Sequence, residues 1–133
     1  MIRRTMAQDS IFTKIIRGEI PAHKIYEDDK TLAFLTIQPE SPGHTLVIPK
    51  IQVDKIYDLP DDYYQAVWAT AKKVAQHMEK VSGKRSLIKV IGTDVPHVHI
   101  HVFSADDNYP IPPKIPFADD VDLAAMAAKL RIN

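Results

Sequence analysis

Apolar residues recur along this chain at helical and at alternating spacing, and the places where the period changes divide it into elements. Ile11, Phe12, Ile15 and Ile16 fall on one helical face after Asp9 or Ser10 as N-cap, with Gly18 as the stop. Lys24–Glu27 reads as a strand, Asp28-Asp29-Lys30 as a tight turn, and Thr31–Ile37 as the returning strand. Gln38–Gly43 holds two prolines and a glycine and reads as a loop before a third strand, His44–Ile48, which Pro49 ends. Residues 50–60 form a connector with one helical turn. Tyr64, Val67, Trp68, Ala71, Val74, Ala75, Met78 and Val81 then recur three and four apart, which predicts a long helix from Asp61 to Val81 closed by Ser82-Gly83. Ser86–Ile91 and His97–Phe103 are the fourth and fifth strands.

Beyond Ser104 the pattern changes. Pro110, Pro112, Pro113 and Pro116 exclude a sheet interior and predict an extended surface segment, and Asp119–Leu130 reads as an alanine-rich terminal helix. Residues 1–8 read as an N-terminal arm. The expected fold class is α+β: a mainly antiparallel five-stranded sheet with one long and one short helix plus a C-terminal tail helix. Residues 1–133 are expected to form a single domain, with its core in about 9–104 and the proline-rich segment and terminal helix in 105–133.

Composition narrows the function. A formal net charge of zero, without a long basic run, argues against nucleic acid as partner. No apolar run reaches membrane-spanning length, and no apolar segment follows the charged start, so neither a membrane anchor nor a secretory signal is expected. Without cysteine there is no disulfide or thiolate metal site, and the expected setting is the cytoplasm.

The candidate chemistry lies in the fifth strand. In His97-Val98-His99-Ile100-His101-Val102-Phe103, imidazoles alternate with aliphatic side chains. On a strand the three histidines line one face, and Val98, Ile100 and Val102 enter the core. Adjacent imidazoles then stand roughly 6–7 Å apart and the outer two roughly 13 Å. That row suits a linear ligand such as a phosphate chain better than a single metal ion held by all three.

The stretch resembles the signature of the histidine triad (HIT) proteins, three histidines separated by apolar residues. A second block agrees: Asp9–Pro21, Ala33-Phe34-Leu35 and Pro42–Lys50 resemble the Hint branch, so the likeness runs over about residues 9–104. The resemblance implies a nucleotide hydrolase or transferase acting on a nucleoside monophosphate joined to a leaving group, with adducts of AMP or GMP as purine nucleotide substrates. It implies His99 as nucleophile, the His97 carbonyl holding one His99 nitrogen protonated, His101 donating to phosphate oxygens, and His44 completing the cluster. Protonated His97 and His101 are expected to offset charge on the phosphate. Neither metal nor cofactor is implied. Ile11, Phe12, Ile15, Ile37 and Leu46 match the base-binding positions, and each reads equally well as core. A homodimer through the Asp61–Val81 helix and the Ser86–Ile91 strand is implied as well.

The chain departs from the family pattern at three places, one of them the short segment between Ile91 and His97, before which the usual asparagine is missing. Thr36 stands where an aspartate usually binds both ribose hydroxyls, and a hydroxyl cannot replace a bidentate carboxylate. Gly92-Thr93-Asp94 stands where phosphate donors are usual. An ionised Asp94 repels phosphate unless it is protonated, turned away, or used on a leaving amine. Rival readings are a dinucleoside polyphosphate hydrolase, a nucleotide-binding regulatory module with little turnover, a zinc site built from the triad and His44, and a histidine-rich strand without a role. His23 and His77 fit no motif and read as solvated.

Overall fold

Short-range hydrogen bonds shape the first half of the chain. The computed structural model describes residues 8–105 and 120–132. Ser10 caps helix α1 (Ile11–Ile16), its hydroxyl accepting the Thr13 N–H at 3.0 Å, and Gly18 leaves the helix at φ 79°. Strands β1 (Lys24–Glu27) and β2 (Thr31–Leu35) form a hairpin. Its turn is held by the Asp28 carboxylate, which accepts the backbone N–H groups of Lys30 at 3.0 Å and Thr31 at 2.7 Å. β2 ends two residues short of the expected Ile37. The Thr36 hydroxyl accepts the Gln38 N–H at 3.2 Å, a local bond that bends the chain away and leaves Ile37 92% exposed.

β3 (Thr45–Pro49) pairs along its whole length with β2, so the ladder runs one residue beyond Ile48 and starts one after His44. The connector carries a single turn of 3₁₀ helix at Ile56–Asp58. Helix α2 (Asp61–Ser82) opens with Asp61 and Asp62, whose charges complement the helix dipole, and closes at Gly83, φ 72°. Strands β4 (Ser86–Val90) and β5 (Ile100–Ser104) and helix α3 (Asp120–Leu130) complete the order. The sheet runs β1-β2-β3-β5-β4, with every neighbouring pair antiparallel. This is the α+β architecture expected from the pattern. The proline segment, and the N-terminal arm apart from Gln8, lie outside the described residues.

The sheet buries different material on its two faces. Ala33, Val47, Ile100 and Val102 point towards Val67, Ala71 and Val74 of α2. Each fully buried valine or isoleucine among them contributes about 1.5–3 kcal/mol. Leu32, Phe34, Leu46 and Ile48 point the other way, under Phe12 and Ile15 of α1. Leu46 opposes His101 across the β3–β5 ladder, so the imidazole of β5 shares the α1 face, where His97 and His99 meet Phe12.

β5 begins at Ile100, not at His97. Pro96 has no N–H to give a ladder, the His97 N–H turns back onto the Val95 carbonyl at 2.8 Å, and the Val98 N–H goes to Val53 at 2.7 Å in the connector. The alternation survives this irregular lead-in: Val98, Ile100 and Val102 are all buried in the core. The histidine face is covered as well. His97 is 0% exposed and His99 4%, because α1 lies across them.

Candidate active site

The triad is held by hydrogen bonds whose direction follows from what each partner can do. The Pro49 carbonyl can only accept, so His97 donates from Nε2 to it at 2.9 Å. His97 Nδ1 is then an acceptor and takes the Ser10 hydroxyl proton at 2.8 Å. Ser10 in turn is fixed by Gln52, whose Oε1 accepts the Ser10 N–H at 2.7 Å and the Thr13 hydroxyl at 2.7 Å. The cap of α1 and the first triad histidine therefore share one hydroxyl group. Ser10 was visible in the sequence as a cap; its bond to His97 was not, since 87 residues separate the two.

With the His97 ring immobilised, its carbonyl accepts from His99 Nδ1 at 2.7 Å. That bond places the His99 proton on Nδ1 and leaves the Nε2 lone pair without a hydrogen-bond partner among the described residues. Phe12 meets the His99 ring edge-on with centroids 5.1 Å apart. On another side Gly92 comes so close that a Cβ there would lie 2.8 Å from Nε2, and closer still to Cε1. Only a residue without a side chain permits this approach.

A second chain of bonds fixes the other pair. The Glu40 backbone N–H donates to His44 Nδ1 at 3.0 Å, so His44 carries its proton on Nε2. His44 Nε2–H donates to His101 Nδ1 at 3.0 Å, and His101 Nε2–H donates to the Ile91 carbonyl at 3.1 Å. Burial is the main force holding His44, His97 and His101 below the ordinary imidazole value; mutual repulsion among the rings adds to it. All three are neutral at neutral pH. The protonated His97 and His101 expected from the sequence are thereby corrected, and the His97 ring faces Ser10 and Pro49, not a ligand. Lys89 lies near His44 and His101 but is paired with Glu40, whose carboxyl it holds below the usual range.

Beside the triad is a cleft of about 280 Å³ lined by Ile11, Phe12, Ile15, Phe34, Leu35, Thr36, Ile37 and the 20–23 segment. Four of the five expected base-binding positions meet there. Leu46 is not among the lining residues: it is buried on the same face, opposite Phe34 in the β2–β3 ladder and packed with Phe12 and Phe34. Thr36 is among the residues that line the cleft, and its hydroxyl accepts the Gln38 N–H. Asp94 is exposed, with one carboxylate oxygen 3.7 Å from His99 Nε2, and Thr93 is exposed beside it. His23 and His77 are both exposed; His23 stands at the end of the 20–23 segment that lines the cleft, a placement the sequence did not show, and His77 is on α2. Among the described residues no three His, Asp or Glu side chains are placed to share a metal ion, since His44 and His101 spend their lone pairs on Glu40 and on each other.

Comparison with known proteins places this arrangement. Residues 17–108 match the HIT domain. A HIT-like protein of Methanocaldococcus jannaschii is 41% identical over 97 residues, covering 69% of this chain and 75% of that one. A purine nucleoside phosphoramidase of Escherichia coli is 36% identical over 104 residues, covering 73% and 87%. The crystal structure of a HIT family protein from Bacillus anthracis superposes with a TM-score of 0.83 at 27% identity, covering 94% of this chain and 96% of that one. No described helix is long and apolar enough to cross a membrane. With the domain match and the antiparallel sheet in agreement, the chain belongs to the HIT-domain family.

Proposed function

We propose that this protein is a nucleotide hydrolase that cleaves the bond between a nucleoside 5′-monophosphate and its leaving group, P–N bonds foremost, through a nucleotidyl-His99 intermediate. The observation that carries this reading is the His97 carbonyl bond to His99 Nδ1 at 2.7 Å, which frees the Nε2 lone pair. The phosphoramidase activity named for the Escherichia coli relative supports it.

The base enters the apolar cleft against Phe12, the ribose lies by Thr36, and the phosphate meets His99. His99 Nε2 attacks the α-phosphorus; the new N–P bond forms as the P–N bond to the amine breaks, and the amine departs with a proton taken from solvent, leaving the His99 ring of the adduct cationic. Water then attacks the same phosphorus, breaks the bond to His99, returns a proton to solvent and releases the monophosphate with His99 neutral again. His101 contributes a hydrogen bond to a phosphate oxygen by exchanging its Ile91 carbonyl partner, since its Nδ1 is taken by His44. The proposal extends to a cytoplasmic homodimer through α2 and β4. β4 is an edge strand, and Ile88, Val90 and the following Ile91 expose apolar surface there.

Turnover of adenosine 5′-phosphoromorpholidate tests the reading. His99→Ala and His99→Asn are expected to lose activity by several orders of magnitude. Intact-mass spectrometry of a quenched wild-type reaction should show one nucleotidyl group on His99. Retained turnover in either variant overturns the mechanism.

A further inference from the structure

We propose that Asp94 makes the site selective for leaving groups that carry positive charge, so that the substrates are nucleoside phosphoramidates of amines bearing a second, free ammonium group. The inference rests on the phosphoramidate reading above and names its substrate class.

Three observations carry it. The Asp94 carboxylate lies 3.7 Å from His99 Nε2, where the reacting phosphoryl group must arrive. No lysine or arginine among the described residues pairs with Asp94, and the nearest fixed cation of the triad, Lys89, is already committed to Glu40. His97, His44 and His101 carry their protons in fixed neutral tautomers and point them at Pro49, His101 and the Ile91 carbonyl, and His99 points its Nδ1 proton at the His97 carbonyl. The formal charge beside the nucleophile is therefore negative, in a site whose ligand is itself an anion.

A site of that sign penalises a leaving group with further negative charge, such as a phosphate chain, and rewards one with an ammonium. Asp94 Oδ1 and His99 Nε2 are both acceptors, so the gap between them suits a donor better than another oxygen. Asp94 has a 79% exposed side chain, so solvent weakens its field. At a separation of about 5 Å the swing between a cationic and an anionic leaving group is on the order of tenfold in rate.

The test compares kcat/KM for the adenosine 5′-phosphoramidates of putrescine, butylamine and γ-aminobutyrate, which differ in the charge at the far end of the amine. Wild type should prefer them in that order, with about tenfold between the ends, and added salt should compress the spread. Asp94→Asn should reduce the ratio towards one, and Asp94→Lys should invert the order. A spread that is absent in wild type, or unchanged in both variants, overturns the inference while leaving the phosphoramidate reading intact. If wild type forms no His99 adduct and turns over none of the three, both fall together.

Discussion

Replacing Gly92 with alanine adds one methyl group against the proposed nucleophile and little else. Gly92 is not among the glycines with positive φ, so alanine suits its backbone. The new Cβ would stand 2.8 Å from His99 Nε2, against an ordinary contact of about 3.5 Å. The ring is caught between Phe12 and the His97 carbonyl, so relief requires the imidazole to move by about 1 Å or the 91–95 segment to withdraw. A displacement of about 1 Å at a reacting centre costs roughly a hundredfold in rate, and overpacking of this kind costs about 1–3 kcal/mol of stability. The expected outcome is a kcat lowered about a hundredfold, a Tm lowered by a few degrees, and AMP affinity changed far less, because the cleft is lined by other residues. Steady-state kinetics on the phosphoromorpholidate, calorimetry with AMP and a melting curve measure the three quantities. A Gly92→Ala enzyme with wild-type kcat would show that the close approach does not constrain the nucleophile.

Ser10→Ala removes the cap of α1 and the proton donor to buried His97 in one change; a loss of about 2–3 kcal/mol in urea denaturation is expected, with recovery in Ser10→Thr, and no loss would disprove the shared hydroxyl. Stability should also fall with pH below the ordinary imidazole value of 6.5, because His44, His97 and His101 titrate lower in the fold than in the unfolded chain. The unfolded state then binds protons first, so the contribution is present above 6.5 and is lost as pH falls towards the folded values; a Tm flat between pH of about 7.5 and 5 would refute it. Thr36→Asp should strengthen discrimination of AMP against 2′-deoxy-AMP by about tenfold in Kd, since a carboxylate can accept from both ribose hydroxyls; an unchanged ratio would place the ribose elsewhere.

Period and punctuation made most of the fold legible in the sequence. The spacing of Val67, Ala71 and Val74 identified the buried stripe of α2, and Gly83 marked its end. Alternation in β5 correctly sent Val98, Ile100 and Val102 to one face. It misjudged the start of that strand, because alternation reports which way side chains point and not where backbone N–H groups go; Pro96 and the bonds of His97 and Val98 decide that. Strand ends at Leu35 and Pro49 shifted for the same reason, through the local bond of Thr36 and the pairing of Pro49 with Thr31.

The site was legible as a list of residues but not as an arrangement. Sequence spacing puts three imidazoles on one face, yet it cannot show that α1 covers two of them. What covers them gives the three histidines unlike environments: His97 is locked between Ser10 and Pro49, His99 is held at one nitrogen only, and His101 is joined to His44. These bonds form a sequence of constraints. Gln52 and Thr13 set Ser10, Ser10 sets the His97 ring, and the His97 carbonyl sets the tautomer of His99. A short helix that contributes no nucleophile thereby orients one from its first turn, while Phe12 on the same helix borders both the cleft and the triad. On the proposed mechanism, the cleft assigned to the base and the orientation of His99 both depend on the packing of a single six-residue helix, so variants that loosen α1 should impair affinity and chemistry together, whereas Gly92→Ala should separate them.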